Sequence, residues 1–373
     1  MSAELQQLLK NVQAYRFSTP VKILNVCGGH ERSISEAGLR SILPDYIQLF
    51  PGPGCPVCVC PVETIKLAIS LSKDPKIIVT SFGDMLNVPT NSKKSEVQSL
   101  SHAKSVGHNV IAVASPQEVM ELAKQHNDKT VIFFAAGFET TMAPVAAMLE
   151  QCNQTNIQFL IEGKRTWPIV ESILSTGPKT IDAIIAPGHV ATIMGSEEWR
   201  FVSKGFGIAS AVSGFNIQSI LKSIDSVLNQ LSKNEPTLEN CYPEVVSKNG
   251  NQTAQGLLNK YFEVSQSNWR GIGEINDSGF KFKNEYADLD ANNLNLPTTI
   301  IETLLTTKAE NEKPETPAGC ACPDVIMGRT SPSDCVLFDK ACTPSSPIGA
   351  CMVSEEGACN IWWQYSMQKV ISL

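Results

Sequence analysis

Twelve cysteines stand in this 373-residue chain, and they are not scattered. Four lie between Cys27 and Cys60, six between Cys320 and Cys359, and only Cys152 and Cys241 stand alone. Clustered thiols in a chain of this length point to metal or redox chemistry, whereas a disulfide framework suits small secreted domains that cannot bury a core. Cys55 and Cys58 form a CPVC unit bracketed by Pro51, Pro53 and Pro56 and by Gly52 and Gly54, which keeps the backbone stiff and tightly turned ahead of a helix starting near Val62. Two thiols at that spacing can close a disulfide or chelate a metal, and a nearby helix amino terminus favours thiolate. Cys27 and His30 sit one unit earlier, a soft thiolate with an imidazole beside it, which suits iron, zinc or copper(I). The plain alternative makes Cys27 and Cys60 small core residues and His30 a helix-end donor; it is favoured for Cys60 only.

The carboxy-terminal six are Cys320, Cys322, Cys335, Cys342, Cys351 and Cys359. Taking Cys320, Cys335, Cys342 and Cys359 gives C-x14-C-x6-C-x16-C, four thiolates on a loop-rich segment, as a [4Fe-4S] cluster or a zinc site requires. Spacing does not separate these metals, and Cys322 and Cys351 compete as ligands. Other signals are weaker. Glu139, Thr140 and Thr141 can cap a helix or lend its amides to an anion; His189 is a ligand, an acid or a satisfied polar residue. Asp84 receives a proton or holds a turn, and Trp269 and Arg270 pair within a lobe or face a partner.

Short apolar, β-rich runs alternate with helical patterns over the first 235 or so residues, the mark of an α/β chain with crossover units and parallel sheets. Strands are expected at Val21 to Val26, Tyr46 to Phe50, Lys76 to Thr80, Asn109 to Ala114, Thr130 to Ala135, Ile157 to Ile161, Ile181 to Ala186 and Gly207 to Val212. Helices are expected at Val62 to Ser72, Pro116 to Gln125, Ala143 to Gln151 and Asn216 to Leu231. The expected division is a first lobe over 1–128, a second over 129–235, and a third domain over 236–373 containing a linker from Thr306 to Gly319 and the cysteine-rich tail. CGGH, PGPGCPVC, SFGDM, GFETT and PGHVATIMG each follow an expected strand, so five loops at strand carboxyl ends should meet in one cleft between two Rossmann-like lobes.

The charge is −7, from 30 Lys plus Arg against 37 Asp plus Glu, with no basic patch, which excludes a nucleic-acid surface. The amino terminus lacks the apolar core of a signal peptide and no apolar run approaches a membrane span. A soluble cytoplasmic protein is expected.

Together the motifs CGGH, GPGCPVC, FGDML, GFETT, PGHV, NWRGIG and the C-x14-C-x6-C-x16-C tail resemble the HypD family of [NiFe]-hydrogenase maturation, over nearly the whole chain. The resemblance implies two similar α/β lobes and a third, cluster-bearing domain. It also implies a metallocentre assembly factor with redox activity, a scaffold on which the Fe(CN)2CO moiety is built with the small chaperone HypC. Cyanide would come from HypE, charged by HypF, and the hydrogenase large-subunit precursor would be served indirectly. By motif, Cys27 resembles the cysteine that helps hold the iron carrying CN and CO, with His30 close by; Cys55 and Cys58 resemble the redox pair, also near that metal. Cys320, Cys335, Cys342 and Cys359 resemble [4Fe-4S] ligands. Gly29 and Cys60 stand where the family pattern has Thr, Pro323-Asp324 where it has Gly-Glu, and Glu355 where it has a small polar residue. Two other classes fit the residues alone: a free-standing iron–sulfur thiol-disulfide oxidoreductase, and a zinc-stabilised interaction protein.

Overall fold

The computed structural model describes residues 3–93, 95–176, 180–294 and 314–371, with side chains described up to 365. Part of the expected linker, 306–313, lies outside the described residues. Eleven strands are described: β1 Val21–Asn25, β2 Ile47–Pro51, β3 Ile77–Phe82, β4 Val110–Val113, β5 Thr130–Gly137, β6 Ile157–Lys164, β7 Ala183–Pro187, β8 Ala209–Ser213, β9 Leu238–Asn240, β10 Phe262–Trp269 and β11 Gly273–Phe282. The fold is α/β, with two Rossmann-like lobes built on two sheets. One sheet has the order β2-β1-β7-β8-β9 and is parallel throughout; the other has the order β10-β11-β6-β5-β3-β4. Its β6, β5, β3 and β4 are parallel, and the β10–β11 hairpin closes one edge antiparallel.

The sheets do not divide the chain at 128 and 235. The chain leaves the first sheet after β2, builds four strands of the second, returns for β7 to β9, and crosses again to add β10 and β11. Hydrophobic pattern marks a strand but carries no record of which sheet it joins, so a sequential division was the natural expectation.

Side-chain alternation explains the layers. In β5, Val131 and Phe133 face the outer helices while Ile132 and Phe134 face inward, and all four are buried; a strand covered on both faces reads as a continuous apolar run. The outer face of the first sheet is covered by the helix Ile217–Lys233, whose Ile220, Leu221, Ile224, Val227 and Leu228 are buried against it. Asn216 caps that helix through the Ser219 amide at 2.8 Å, and Asn234 ends it in the left-handed conformation. Burying each such leucine or isoleucine contributes about 1.5–3 kcal/mol.

Between the sheets lies one continuous core. It joins Leu24, Ile184 and Val212 of the first sheet to Val79, Ile132 and Phe134 of the second, and includes Cys55, Cys58, Cys322, Cys342, Cys351 and Cys359. The tail is therefore packed into the interior. Its helix Ala358–Ile371 lies on the helix Gly28–Glu36, where Trp362 Nε1 donates to Glu31 Oε1 at 2.6 Å and Arg40 sits 4.6 Å from the Trp362 ring. No helix among the described residues is long and apolar enough to cross a membrane.

Candidate metal and thiol centre

Cys27 stands two residues after β1 at the N-cap of the helix Gly28–Glu36. Strand-to-helix turns of this kind turn amides toward the capping side chain, and the N–H groups of His30 and Gly29 face its sulfur. Burial nevertheless dominates: it pushes the thiol up to about 12, with the Glu356 carboxylate adding to the rise and the two amides opposing it. A cation binding at this sulfur would therefore have to displace a proton.

β2 lies beside β1, and this brings GPGCPVC against CGGH. The Gly28 amide donates to the Gly54 carbonyl at 3.2 Å, and a Cβ on Gly54 would fall 2.5 Å from Cys27 Cα, so only glycine allows this approach. Cys55 and Cys58 are joined in a disulfide and buried, and the Cys58 amide donates toward Cys55 Sγ at 3.1 Å. Cys60 is a buried thiol raised well above its usual range, first by desolvation, and so is the small core residue expected.

His30 is fully buried, bonded through Nε2 to the Ser213 carbonyl at 3.1 Å, while Nδ1 has no partner among the described residues. Desolvation holds it down to about 4, so the ring is neutral. The Phe215 ring joins it to the PGHV loop: His30 lies 4.8 Å and the exposed His189 3.7 Å from its centroid. Phe215 also fills the space beside Gly29, where a Cβ would meet it at 2.9 Å.

The SFGDM loop reaches the site through the tail. Ser354 Oγ donates to Asp84 Oδ2 at 2.9 Å and accepts the Glu356 amide at 3.2 Å. Glu356 closes over Gly28, its carbonyl oxygen 2.6 Å from where a Cβ would be. At this rim its carboxyl is pushed up to about 7, by desolvation first and then by Asp84, with Arg32 opposing. Nothing in local sequence pattern singles out Glu356 or Phe215; both matter through tertiary contact alone.

The acidic residue of GFETT serves as a helix cap. Glu139 is buried at the start of the helix Glu139–Gln151 and caps another helix, Thr166–Ser175, accepting from Thr166 N at 2.7 Å and Thr166 Oγ1 at 2.6 Å. Its electrostatic neighbour is Glu198, raised to about 8 by desolvation and by Glu139. Trp269 is fully buried on Phe138 and donates Nε1 to Ser278 at 2.8 Å, so it faces no partner.

The tail thiols gather beneath the disulfide. Cys58 Sγ lies 3.9 Å from the Ala350 carbonyl, next to Cys351. Cys322 shares side-chain hydrogen bonds with Cys320, Cys351 and Cys359, raising Cys320 and Cys351 and lowering Cys359. Cys342 faces the charges of Cys322 and Cys320. A Cβ on Gly349 would fall 2.5 Å from Cys322 Sγ and 2.6 Å from Cys320 Sγ. Cys335 sits farther out, its sulfur 3.7 Å from the Gly319 carbonyl. Among the described residues these side chains do not form a group of three or more arranged to hold a metal ion. The all-sulfur donor set is nonetheless the chemistry that an iron–sulfur cluster or zinc takes. An open cavity of about 720 Å³, lined by Gly271, Glu315, Cys320 and Pro323 among others, gives Cys320 a route to solvent.

The family model described as "Hydrogenase formation hypA family", HypD, matches residues 3–366. The chain belongs to the HypD family. The hydrogenase maturation factor HypD of Escherichia coli K12 is 33% identical over 376 residues, covering 98% of this chain and 96% of the relative. The hydrogenase maturation factor HypD1 of Bradyrhizobium diazoefficiens is 36% identical over 363 residues, 95% of this chain and 90% of the relative. A third, the putative hydrogenase expression/formation protein of Methanocaldococcus jannaschii, is 36% identical over 349 residues, 92% of each. The role that goes with HypD, hydrogenase maturation, is thereby given to this chain at the level of the family.

Proposed function

We propose that this HypD-family protein is a cytoplasmic scaffold on which the Fe(CN)2CO moiety of [NiFe]-hydrogenase is assembled, in complex with a HypC-type chaperone and with cyanide supplied by a HypE-type donor. The observation that carries the reading is the contact of Gly54 with Cys27, which seats a buried disulfide behind a half-buried thiol at a helix amino terminus. Iron bearing CN and CO is the cargo. A low-spin ferrous fragment is soft, and thiolate is a fitting temporary anchor for it. Cys27 alone does not enclose a metal ion, so a second ligand from HypC would complete the site, and separation of the two proteins would release the cargo. His30, neutral and buried, would hold the Phe215 wall of the pocket and leave the cation to the thiolate.

Cys55 and Cys58 would store electrons: the disulfide takes up two electrons and two protons to become two thiols. The tail cysteines would hold a [4Fe-4S] cluster through Cys320, Cys335, Cys342 and Cys359, with Cys322 and Cys351 as competing ligands. Such a cluster, when bound, would supply single electrons. The burial of Cys55 and Cys58, 6% and 2% exposed, disfavours the alternative of an oxidoreductase acting on bulky external disulfides.

The test is anaerobic co-expression with the HypC-type partner, followed by infrared spectroscopy over the cyanide and carbonyl stretches and by iron and acid-labile sulfide analysis. The expected result is CN and CO bands in the complex, lost in Cys27→Ala while tail iron and sulfide persist. A Cys27→Ala complex that keeps CN-ligated iron would sink the assignment, and stoichiometric zinc without sulfide would move the tail to the zinc class.

A further inference from the structure

Arg270, the residue after β10, is a buried cation that nothing above uses. It is 5% exposed, and among the described residues its guanidinium donates to backbone, NH2 to the Pro89 carbonyl at 2.8 Å and to the Glu315 carbonyl at 3.5 Å. NH1 is buried and has no hydrogen-bond partner among the described residues. The Glu315 carboxylate is near but occupied elsewhere, accepting the amides of Val62 and Gly271 at 3.1 Å each. Lys164, another buried cation, is paired with Glu162 at 2.8 Å.

A guanidinium taken out of water without a full complement of partners is costly, and such groups persist where a negative charge faces them. The groups that face Arg270 are, besides Glu315, the sulfurs of Cys60, Cys322 and Cys320. Cys60 is held as a neutral thiol by its burial. Cys320 and Cys322 belong to the tail donor set, and thiols become thiolates when they bind metal. The backbone fixes the relationship. The Arg270 amide donates to Val59, in the turn that follows the disulfide, at 3.0 Å, and Gly271 packs against Thr316 and Pro323, where a Cβ would lie 2.2 and 2.7 Å away.

We propose that Arg270 is the internal counter-ion of the anionic metal–thiolate centre in the tail, placed between that centre and the disulfide-bearing turn, and that its charge makes the centre easier to reduce. This rests on the tail holding a [4Fe-4S] cluster. A fixed positive charge stabilises the reduced, more negative member of a one-electron couple over the oxidised one. Arg270 is thus a tuning residue that acts through the sulfurs.

The experiment is a dithionite titration of the cluster, followed by EPR and visible absorption, in the wild type, Arg270→Gln and Arg270→Lys. At a fixed potential, the reduced-to-oxidised ratio is expected to fall at least tenfold in Arg270→Gln, equal to about 59 mV for a one-electron couple, and to stay within threefold of wild type in Arg270→Lys. An unchanged ratio in folded, cluster-loaded Arg270→Gln overturns the proposal. Where Arg270→Gln fails to fold, Arg270→Lys decides: a tenfold fall despite the retained charge overturns it, and a ratio near wild type supports it. Wild-type protein without iron and sulfide refutes the cluster reading instead. Zinc is then the probe, with a tenfold weaker affinity in Arg270→Gln expected and an equal affinity overturning the counter-ion role.

Discussion

Gly54 and Cys27 are in backbone contact between the loops that follow two adjacent parallel strands, with the Gly28 amide on the Gly54 carbonyl at 3.2 Å and no room for a Cβ between them. The redox turn and the metal-facing turn are thus one rigid unit. We expect Gly54→Ala to push these turns apart, since the atoms it meets are backbone and do not rotate away, costing about 1–3 kcal/mol as overpacked sites do. Urea unfolding would measure the loss. Iron retained by Cys27 in the partner complex should fall with it while tail iron and sulfide remain.

Cys27 carries a second expectation. With its thiol pushed up to about 12, alkylation of metal-free protein by iodoacetamide should be slow at neutral pH and rise about tenfold per pH unit from 7 to 10, because the thiolate is the nucleophile. Glu356→Gln removes the negative charge that adds to the shift and should speed the reaction at every pH in that range. Mass spectrometry of the Cys27 peptide gives the rates; a plateau reached below pH 8 would contradict this.

His30 makes stability depend on pH in a definite direction. Its folded value, about 4, lies below the 6.5 of the unfolded chain, so between those values the unfolded state binds a proton that the folded state does not. Stability is full above 6.5 and declines as the pH falls toward 4, by up to about 3 kcal/mol at about 1.36 kcal/mol per unit. Urea midpoints of metal-free protein at pH 7 and pH 5 should show the decline, and His30→Gln should flatten it.

Much of this arrangement is legible in the residues alone, and the failures have physical causes. β1 to β8 and the loops after them follow from apolar runs ended by Gly, Pro and polar residues, since buried parallel strands advertise themselves. β10 and β11 do not. FEVSQSNW and GEINDSGFKF are polar, Gly279 is needed for a close crossing with Ser265 and Ser267, and a bulge breaks the alternation, as suits a half-solvated edge hairpin. Glu139, expected to cap a helix or lend its amides to an anion, does cap a helix, but Thr166–Ser175 and not the one it begins. The gathering of tail thiols follows from spacing, but the central place of Cys322 and Cys351 and the burial of Arg270 arise only once the tail enters the inter-sheet core.

Glu31 is the fastener of that tail. It is buried, pairs with Arg40 at 2.9 Å, and accepts from Asn25 Nδ2 at 2.8 Å and Trp362 Nε1 at 2.6 Å. Glu31→Ala removes the acceptor of four side-chain donors, Asn25, Ser35, Arg40 and Trp362, and breaking a buried pair of this kind costs about 3–5 kcal/mol. The effect should be local first. Hydrogen exchange over 358–365 is expected to accelerate before the β5 amides do, and equal acceleration in both would show that Glu31 acts on global stability alone.

Gly349 tests the thiol packing itself. A methyl group there would meet two sulfurs, Cys322 at 2.5 Å and Cys320 at 2.6 Å, while the surrounding Ala350, Cys351 and Met352 are buried and leave the turn no room to retreat. Gly349→Ala must therefore displace the sulfurs. Iron and sulfide per chain should drop by half or more, with circular dichroism unchanged, because both sheets lie outside the altered contact. If zinc or iron still binds at wild-type stoichiometry, Cys320 and Cys322 are both free to move, and the ligand set would centre on Cys335, Cys342, Cys351 and Cys359.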